Sequence, residues 1–153
     1  MANRYWVGGT GTWNTTSTTN WSASSGGSSG ASVPTAADSV FFDQAGTYTV
    51  TMTGALLCLD FTVSAGTVTF ATGTSPTLAI SGSLSVIAGT VWSSTGVTTF
   101  NATTSKTITS NGVSFSSPFT FNGVAGTWQI QDNLTSTDLV TPVSYTHLTL
   151  PTK

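Results

Sequence analysis

Charge is almost missing from this chain. Only 5% of its 153 residues are charged: three are Lys or Arg, the five acidic ones are all Asp, and Glu does not occur. Ordinary domains carry about a quarter. Arg4, Lys106 and Lys153 are scattered, so no basic face is expected and nucleic acid is excluded as a partner. The dearth of Glu, Lys and Arg also removes residues that favour helices. A single cysteine, Cys58, excludes an internal disulfide framework and a zinc site built on cysteines. No apolar run reaches the roughly 18 residues of a membrane span. The start, Met1-Ala2-Asn3-Arg4-Tyr5-Trp6, lacks the apolar stretch of a signal peptide. The chain is therefore expected to stay in its cell until release, or to leave by another route.

What is present points to strands. Hydrophobic residues make up 38% of the chain, enough to build a core, so the lack of charge does not mean disorder. Thr and Ser supply roughly a third of the residues, well above ordinary usage. Thr, Val, Phe and Trp all favour strands. The fold class is all-β.

One phrase organises the chain. Ala45-Gly46-Thr47-Tyr48, Ala65-Gly66-Thr67-Val68, Ala88-Gly89-Thr90-Val91 and Ala125-Gly126-Thr127-Trp128 start 20, 23 and 37 residues apart. Recurrence at this period marks a solenoid. Apolar residues alternate after the glycines, as at Tyr48, Val50 and Met52 or Val68 and Phe70, which is a strand period. These features predict a parallel β-solenoid (β-helix) of about four coils over residues 45–141. Its core is expected to hold Leu59, Phe61, Val68, Phe70, Leu78, Ile80, Ile108, Phe121, Trp128 and Ile130. An antiparallel sandwich is the main rival, since hairpins also use Asn-Gly turns. Leu57, Leu59, Phe61 and Val63 are read as inward, with Cys58, Asp60 and Thr62 facing solvent. Cys58 is then a structural surface thiol with no general base beside it. Alternation blurs from Val91 to Thr104, so a longer, irregular coil is expected to fill the 37-residue gap. Asn101, Asn111, Asn122 and Asn133 recur every 10 or 11 residues, which suggests Asn side chains bonding between stacked turns. Asn111-Gly112 and Asn122-Gly123 are expected to take positive φ.

Residues 1–44 differ from the coils. Trp6, Trp13 and Trp21 lie on a segment nearly free of charge, followed by a Gly/Ser-rich loop at 22–32 that reads as mobile. Pro34 fixes the backbone again, and Asp38-Ser39-Val40-Phe41-Phe42-Asp43 reads as the first firm strand. The open end of a solenoid needs a cap, and three tryptophans suit one. The competing reading makes them an aromatic platform for glycan.

These residues resemble known proteins. Trp6-Val7-Gly8-Gly9-Thr10-Gly11-Thr12-Trp13, Asn20-Trp21 and Pro34-Thr35-Ala36-Ala37-Asp38-Ser39-Val40-Phe41-Phe42-Asp43 are similar to the N-terminal segment of two groups. One is the repetitive β-solenoid proteins of tailed phages and their metagenomic relatives; the other is the passengers of autotransporter adhesins. Lys106-Thr107-Ile108-Thr109-Ser110-Asn111-Gly112 and Gly126-Thr127-Trp128-Gln129-Ile130-Gln131-Asp132-Asn133-Leu134 look more like the phage group. The resemblance covers most of residues 3–137 and implies further coils in relatives of this type.

Catalytic chemistry is not expected. The carboxylate candidates are Asp38 with Asp43, Asp60, and Asp132 with Asp138. A glycosidase needs two across a cleft, and Asp38 and Asp43 point to opposite faces of a regular strand. Asp132 and Asp138 fall short of the six to eight oxygens that calcium takes. Gly8-Gly9-Thr10-Gly11 lacks the spacing and lysine of a phosphate loop. The Asn-x-Ser/Thr matches at Asn14, Asn20, Asn101 and Asn133 arise readily in so Thr-rich a chain and carry little weight. His147 lies in a segment, 142–153, that breaks the pattern. That segment resembles a tail found on unrelated metagenomic reading frames, consistent with translated linker sequence and a non-native end; the other reading is a genuine strand over the last coil.

The resemblance implies a structural or adhesive virion protein of a phage tail fibre or appendage. It would be a rigid rod with weak contact to host cell-surface glycans, without cofactor or metal. Its partners would be other virion proteins or further copies of itself, and its place the virion, assembled in the host cytoplasm, or the cell exterior. The alternatives are a bacterial adhesin passenger and, from another class, a polysaccharide-degrading β-helix enzyme.

Overall fold

The computed structural model describes residues 1–137, with the backbone of two further strands at Leu139–Val140 and His147–Thr149. The architecture is all-β, a parallel β-solenoid of about four turns. The chain opens with β1 (Asn3–Trp6), β2 (Gly11–Trp13) and β3 (Trp21–Ser22). The first turn is β4 (Ser39–Phe42), β5 (Thr47–Met52) and β6 (Ala55–Cys58). The second is β7 (Phe61–Val63), β8 (Thr67–Thr72) and β9 (Thr77–Ile80). The third is β10 (Leu84–Ser85), β11 (Val91–Trp92) and β12 (Thr98–Phe100). The fourth is β13 (Ser105–Thr109), β14 (Ser114–Phe115) and β15 (Phe119–Phe121). After it, β16 (Thr127–Ile130) and β17 (Thr135–Ser136) begin another turn, followed by β18 (Leu139–Val140) and β19 (His147–Thr149).

Every third strand stacks on its counterpart, making three sheets. The first runs β19-β16-β13-β10-β7-β4-β1-β3, the second β17-β14-β11-β8-β5-β2, and the third β18-β15-β12-β9-β6. Register is kept from turn to turn. Val40, Phe61, Leu84, Ile108 and Ile130 form one column of the first sheet. Val50, Phe70, Trp92 and Phe115 form a column of the second, and Cys58, Ile80, Phe100 and Phe121 one of the third. All these side chains are buried. A one-residue slip would turn each of them outward, so the apolar columns fix the register. Because β1 pairs in parallel with β4, the ladder begins within residues 1–44.

The core is an aromatic file along the axis. Phe42 meets Phe70 edge-on at 4.9 Å, Phe70 meets Trp92 at 4.8 Å, and Trp92 meets Phe115 at 5.1 Å. Phe115 passes the contact to Phe119, Phe119 to Phe100, Phe100 to Phe121, and Phe121 to Trp128. Centroid separations of this size sit in the favourable range for ring pairs. Trp92 donates Nε1–H to the buried Ser117 Oγ at 2.8 Å, and Ser117 donates onward to the Ser94 carbonyl at 2.9 Å.

Several expectations change at the corners. Cys58 is fully buried and Leu57 is exposed, while Leu59 sits at an intermediate position and does not join the core. The reading of 57–63 as one strand fails because the chain turns a corner after Cys58 and changes sheets before Phe61. The corner resets which parity points inward.

The expected long coil at 91–104 is not there either. The third turn starts at Leu84 and the fourth at Ser105, in step with the others. The gap has another origin: Gly46, Gly66 and Gly89 precede strands of the second sheet, whereas Gly126 precedes β16 of the first. At the fourth turn Asn111-Gly112 takes the place of the phrase, with φ of 48° and 78°. Asn122-Gly123 does not adopt positive φ; Ala125 does, at 61°.

Candidate functional site

Trp6, Trp13 and Trp21 are brought together at the N-terminal end of the stack. Trp21 stands edge-on to both Trp6 and Trp13, each at 5.2 Å, and all three rings contact Phe42. Their exposures are 0%, 1% and 0%, so none presents a face on which a sugar ring could stack. Trp6 donates Nε1–H to the Gly9 carbonyl at 2.8 Å. β3 folds back antiparallel on β1 and covers that edge of the first sheet. The loop at 22–32, expected to be mobile, is tied to this cluster: the Gly30 and Ala31 amides donate to the Trp21 carbonyl at 2.9 and 3.0 Å. Arg4 grips its far end through Ser32, with Nη2–H donating to Oγ at 2.7 Å.

Asp38, Asp60 and Asp132 are spread along the stack and tie neighbouring turns together, whereas Asp43 Oδ1 is buried with no hydrogen-bond partner among the described residues. Asp38 accepts from the amides of Ala2 and Thr35 and from Thr35 Oγ1. Asp60 accepts from Ser39 Oγ on one side and from the Ser83 amide on the other, at 3.0 and 2.8 Å. Asp132 accepts from Ser110 Oγ, the Ser110 amide and the Asn111 amide. Burial pushes the Asp38 and Asp132 carboxyls up, but these donors outweigh it and hold both below the ordinary value. Asp138 lies outside the described residues, as does the reading of 142–153 apart from the backbone of β19, which pairs in parallel with β16. Among the described residues no cluster of His, Cys, Asp or Glu could hold a metal ion.

Cys58 is not the surface thiol expected from alternation. Its burial, and then the Asp60 charge, push the thiol well above its ordinary value. Tyr48 is likewise pushed up to about 12, by burial first and the Asp43 carboxylate second. Of the asparagines, Asn111 reaches the preceding turn, donating Nδ2–H to the Val86 carbonyl at 2.6 Å. Asn101 and Asn122 are exposed at another corner, where their amides bond back to Ile80 and Phe100.

A concavity lies on the outer face of the first sheet. It is a shallow groove of about 440 Å³ lined by Ser83, Ser105, Lys106, Thr107, Thr127 and Gln129. Three successive turns contribute, through the Ser83 corner, β13 and β16. Serine 83 shapes it: its hydroxyl oxygen accepts the Thr107 amide at 3.1 Å, while its carbonyl serves Phe61 on the other side. A side chain thus stands in for backbone in the ladder at that point. Ser105 Oγ and Thr127 Oγ1 are 2.6 Å apart across the floor. Sequence reasoning missed this group because its members lie about one turn apart. Aligning Ile108 on Ile130 would have set Lys106-Thr107 beside Trp128-Gln129.

Comparison with known families, curated proteins and solved structures finds no match to this chain.

Proposed function

We propose that this chain is a structural and adhesive virion protein, part of a phage tail fibre or similar appendage. The observation that carries the reading is the unbroken stack: parallel turns in constant register around one aromatic file. Such a body transmits load along its axis through backbone ladders. Each turn adds about 4.8 Å, so four turns span roughly 20 Å. The exterior suits the same role. Exposed and half-exposed Thr and Ser offer neutral hydroxyls to a glycan surface, and Asp60 and Asp132 are engaged in joining turns. The choice of a virion in particular rests on the motifs of residues 3–137, read in the sequence as similar to the phage solenoid group. Its partners are then neighbouring appendage proteins, further copies of itself and host surface glycans.

The test is location. A gold-labelled antibody against the full chain should mark the appendages of particles purified from material that carries the gene. Label confined to bacterial cell envelopes, with bare particles, would overturn the reading in favour of a cell-surface adhesin.

A further inference from the structure

We propose that the outer face of the second sheet binds ice. The proposal goes beyond the appendage reading and does not depend on it. The ligand is crystalline water, and the site is a regular array of threonines.

The array follows from alternation and register. In β5 the side chains of Tyr48, Val50 and Met52 are buried, so Thr47, Thr49 and Thr51 point outward. In β8 the burial of Val68 and Phe70 turns Thr67 and Thr69 the same way. Thr47 pairs with Thr67 and Thr49 with Thr69, while the exposed Thr12 of β2 stands over Thr51. Ala71 and Val91 continue the columns with methyl groups. Among the described residues, none of the six threonine hydroxyls has a hydrogen-bond partner within the protein. At the margins, by contrast, Thr10 Oγ1 accepts the Thr49 amide and Ser93 Oγ donates to the Phe70 carbonyl.

Three properties select the ligand. The columns repeat about every 4.8 Å along the axis and about every 6.6 Å along each strand. These spacings lie near the two oxygen repeats on the prism face of hexagonal ice, and constant register keeps them from turn to turn. Each threonine offers a hydroxyl that donates and accepts, as water does, beside a methyl that water must enclose. Among the described residues no charged side chain lies on this face, so no ion holds a hydration shell of its own against the lattice. A crystalline polysaccharide fits less well. The rings of this sheet, Trp13, Tyr48, Phe70, Trp92 and Phe115, all point inward and leave sugars no aromatic surface to stack on.

The experiment grows single ice crystals in a solution of the full chain and measures the gap between melting and freezing points. Partition of the chain into growing ice is the second readout. A gap with faceted crystals, and enrichment of the chain in the ice, is expected. Thr69→Tyr, which sets a ring within the array, should abolish both, and so should Thr49→Lys, which brings an ion with its own hydration. Thr99→Tyr, on the outward side of β12 in the third sheet, should leave both unchanged. Tyrosine favours strands, and thermal midpoints of the variants show that the fold is intact. No gap and no enrichment with the unaltered chain would overturn the proposal. Equal loss in Thr99→Tyr, or full retention in Thr69→Tyr and Thr49→Lys, would overturn it as well. Binding to microcrystalline cellulose or chitin without enrichment in ice would assign the face to polysaccharide and overturn it too. Gold label on appendages together with inactivity toward ice would remove this site and leave the structural role standing.

Discussion

Asp132 holds Ser110 across the gap between two successive turns. The Ser110 hydroxyl donates to its Oδ1 at 2.6 Å and the Ser110 amide to the same atom at 3.0 Å. A second carboxylate at the other end, Asp38, is bonded in the same manner to Thr35 and Ala2. In a chain so poor in charge, Asp38, Asp60 and Asp132 each join one layer to the next.

That pairing makes stability depend on acid. The folded carboxyls of Asp38 and Asp132 lie below their ordinary value. Their contribution is therefore fully present above the ordinary carboxylate range and is lost as pH falls through the folded values. Denaturant midpoints should be flat from neutral pH to about pH 5 and should drop below about pH 4. Asp132→Ala should cost about 1–2 kcal/mol at pH 7 and should make the acid limb shallower. An unchanged acid limb in that variant would remove the clamp.

The tryptophan cluster is a lid, and its members are not equivalent. Trp13→Ala should cost about 3–5 kcal/mol in chemical unfolding, because the ring contacts Trp21, Phe42 and Phe61. Trp6→Phe and Trp21→Phe should separate. Trp6 Nε1–H has the Gly9 carbonyl, whereas Trp21 Nε1 is buried without a partner among the described residues. Losing a paired donor strands its acceptor, and losing an unpaired one removes a penalty. Trp6→Phe should therefore be the more destabilising by about 1 kcal/mol, read from paired unfolding curves.

Cys58 should behave as core. A thiol-reactive dye should label it only as the protein unfolds, with labelling tracking the loss of fluorescence. Rapid labelling of the native chain would contradict its full burial.

Two glycines separate turn conformation from close approach. Gly89 has φ of 89° with open space around it, so Gly89→Ala should cost about 1 kcal/mol from backbone strain alone. A Cβ on Gly123 would overlap the Ala102 carbonyl oxygen and crowd Trp128. Gly123→Ala should cost about 1–3 kcal/mol, the larger loss of the two, as thermal midpoints should show.

The architecture was legible where strands run straight. Val68 and Phe70, or Leu78 and Ile80, announce their inward face by period two. It was not legible at corners, where backbone turns between Cys58 and Phe61 reverse the parity that a linear reading carries forward. The fourth Ala-Gly-Thr phrase misled for a related reason. Positive φ occurs at more than one corner of a turn, as at Gly46 and Gly54 of the first, and a short turn phrase does not say which corner it serves. The groove was hidden because Ser83, Thr107 and Gln129 become neighbours only through the register of three turns, and hydroxyls and one amide carry no spacing signal.

The register itself is open to a direct chemical test. Thr49 and Thr69 are partners on adjacent strands β5 and β8, while Ser114 lies on β14, three strands from β5. Partners about 4.8 Å apart fall within the 4.4–6.8 Å Cα range of a disulfide; a separation of three strands, about 14 Å, does not. In a Cys58→Ala background, Thr49→Cys with Thr69→Cys should oxidise to an intramolecular disulfide, and Thr49→Cys with Ser114→Cys should stay reduced. A bridge in the second pair with none in the first would contradict the stack of parallel turns on which the rod depends.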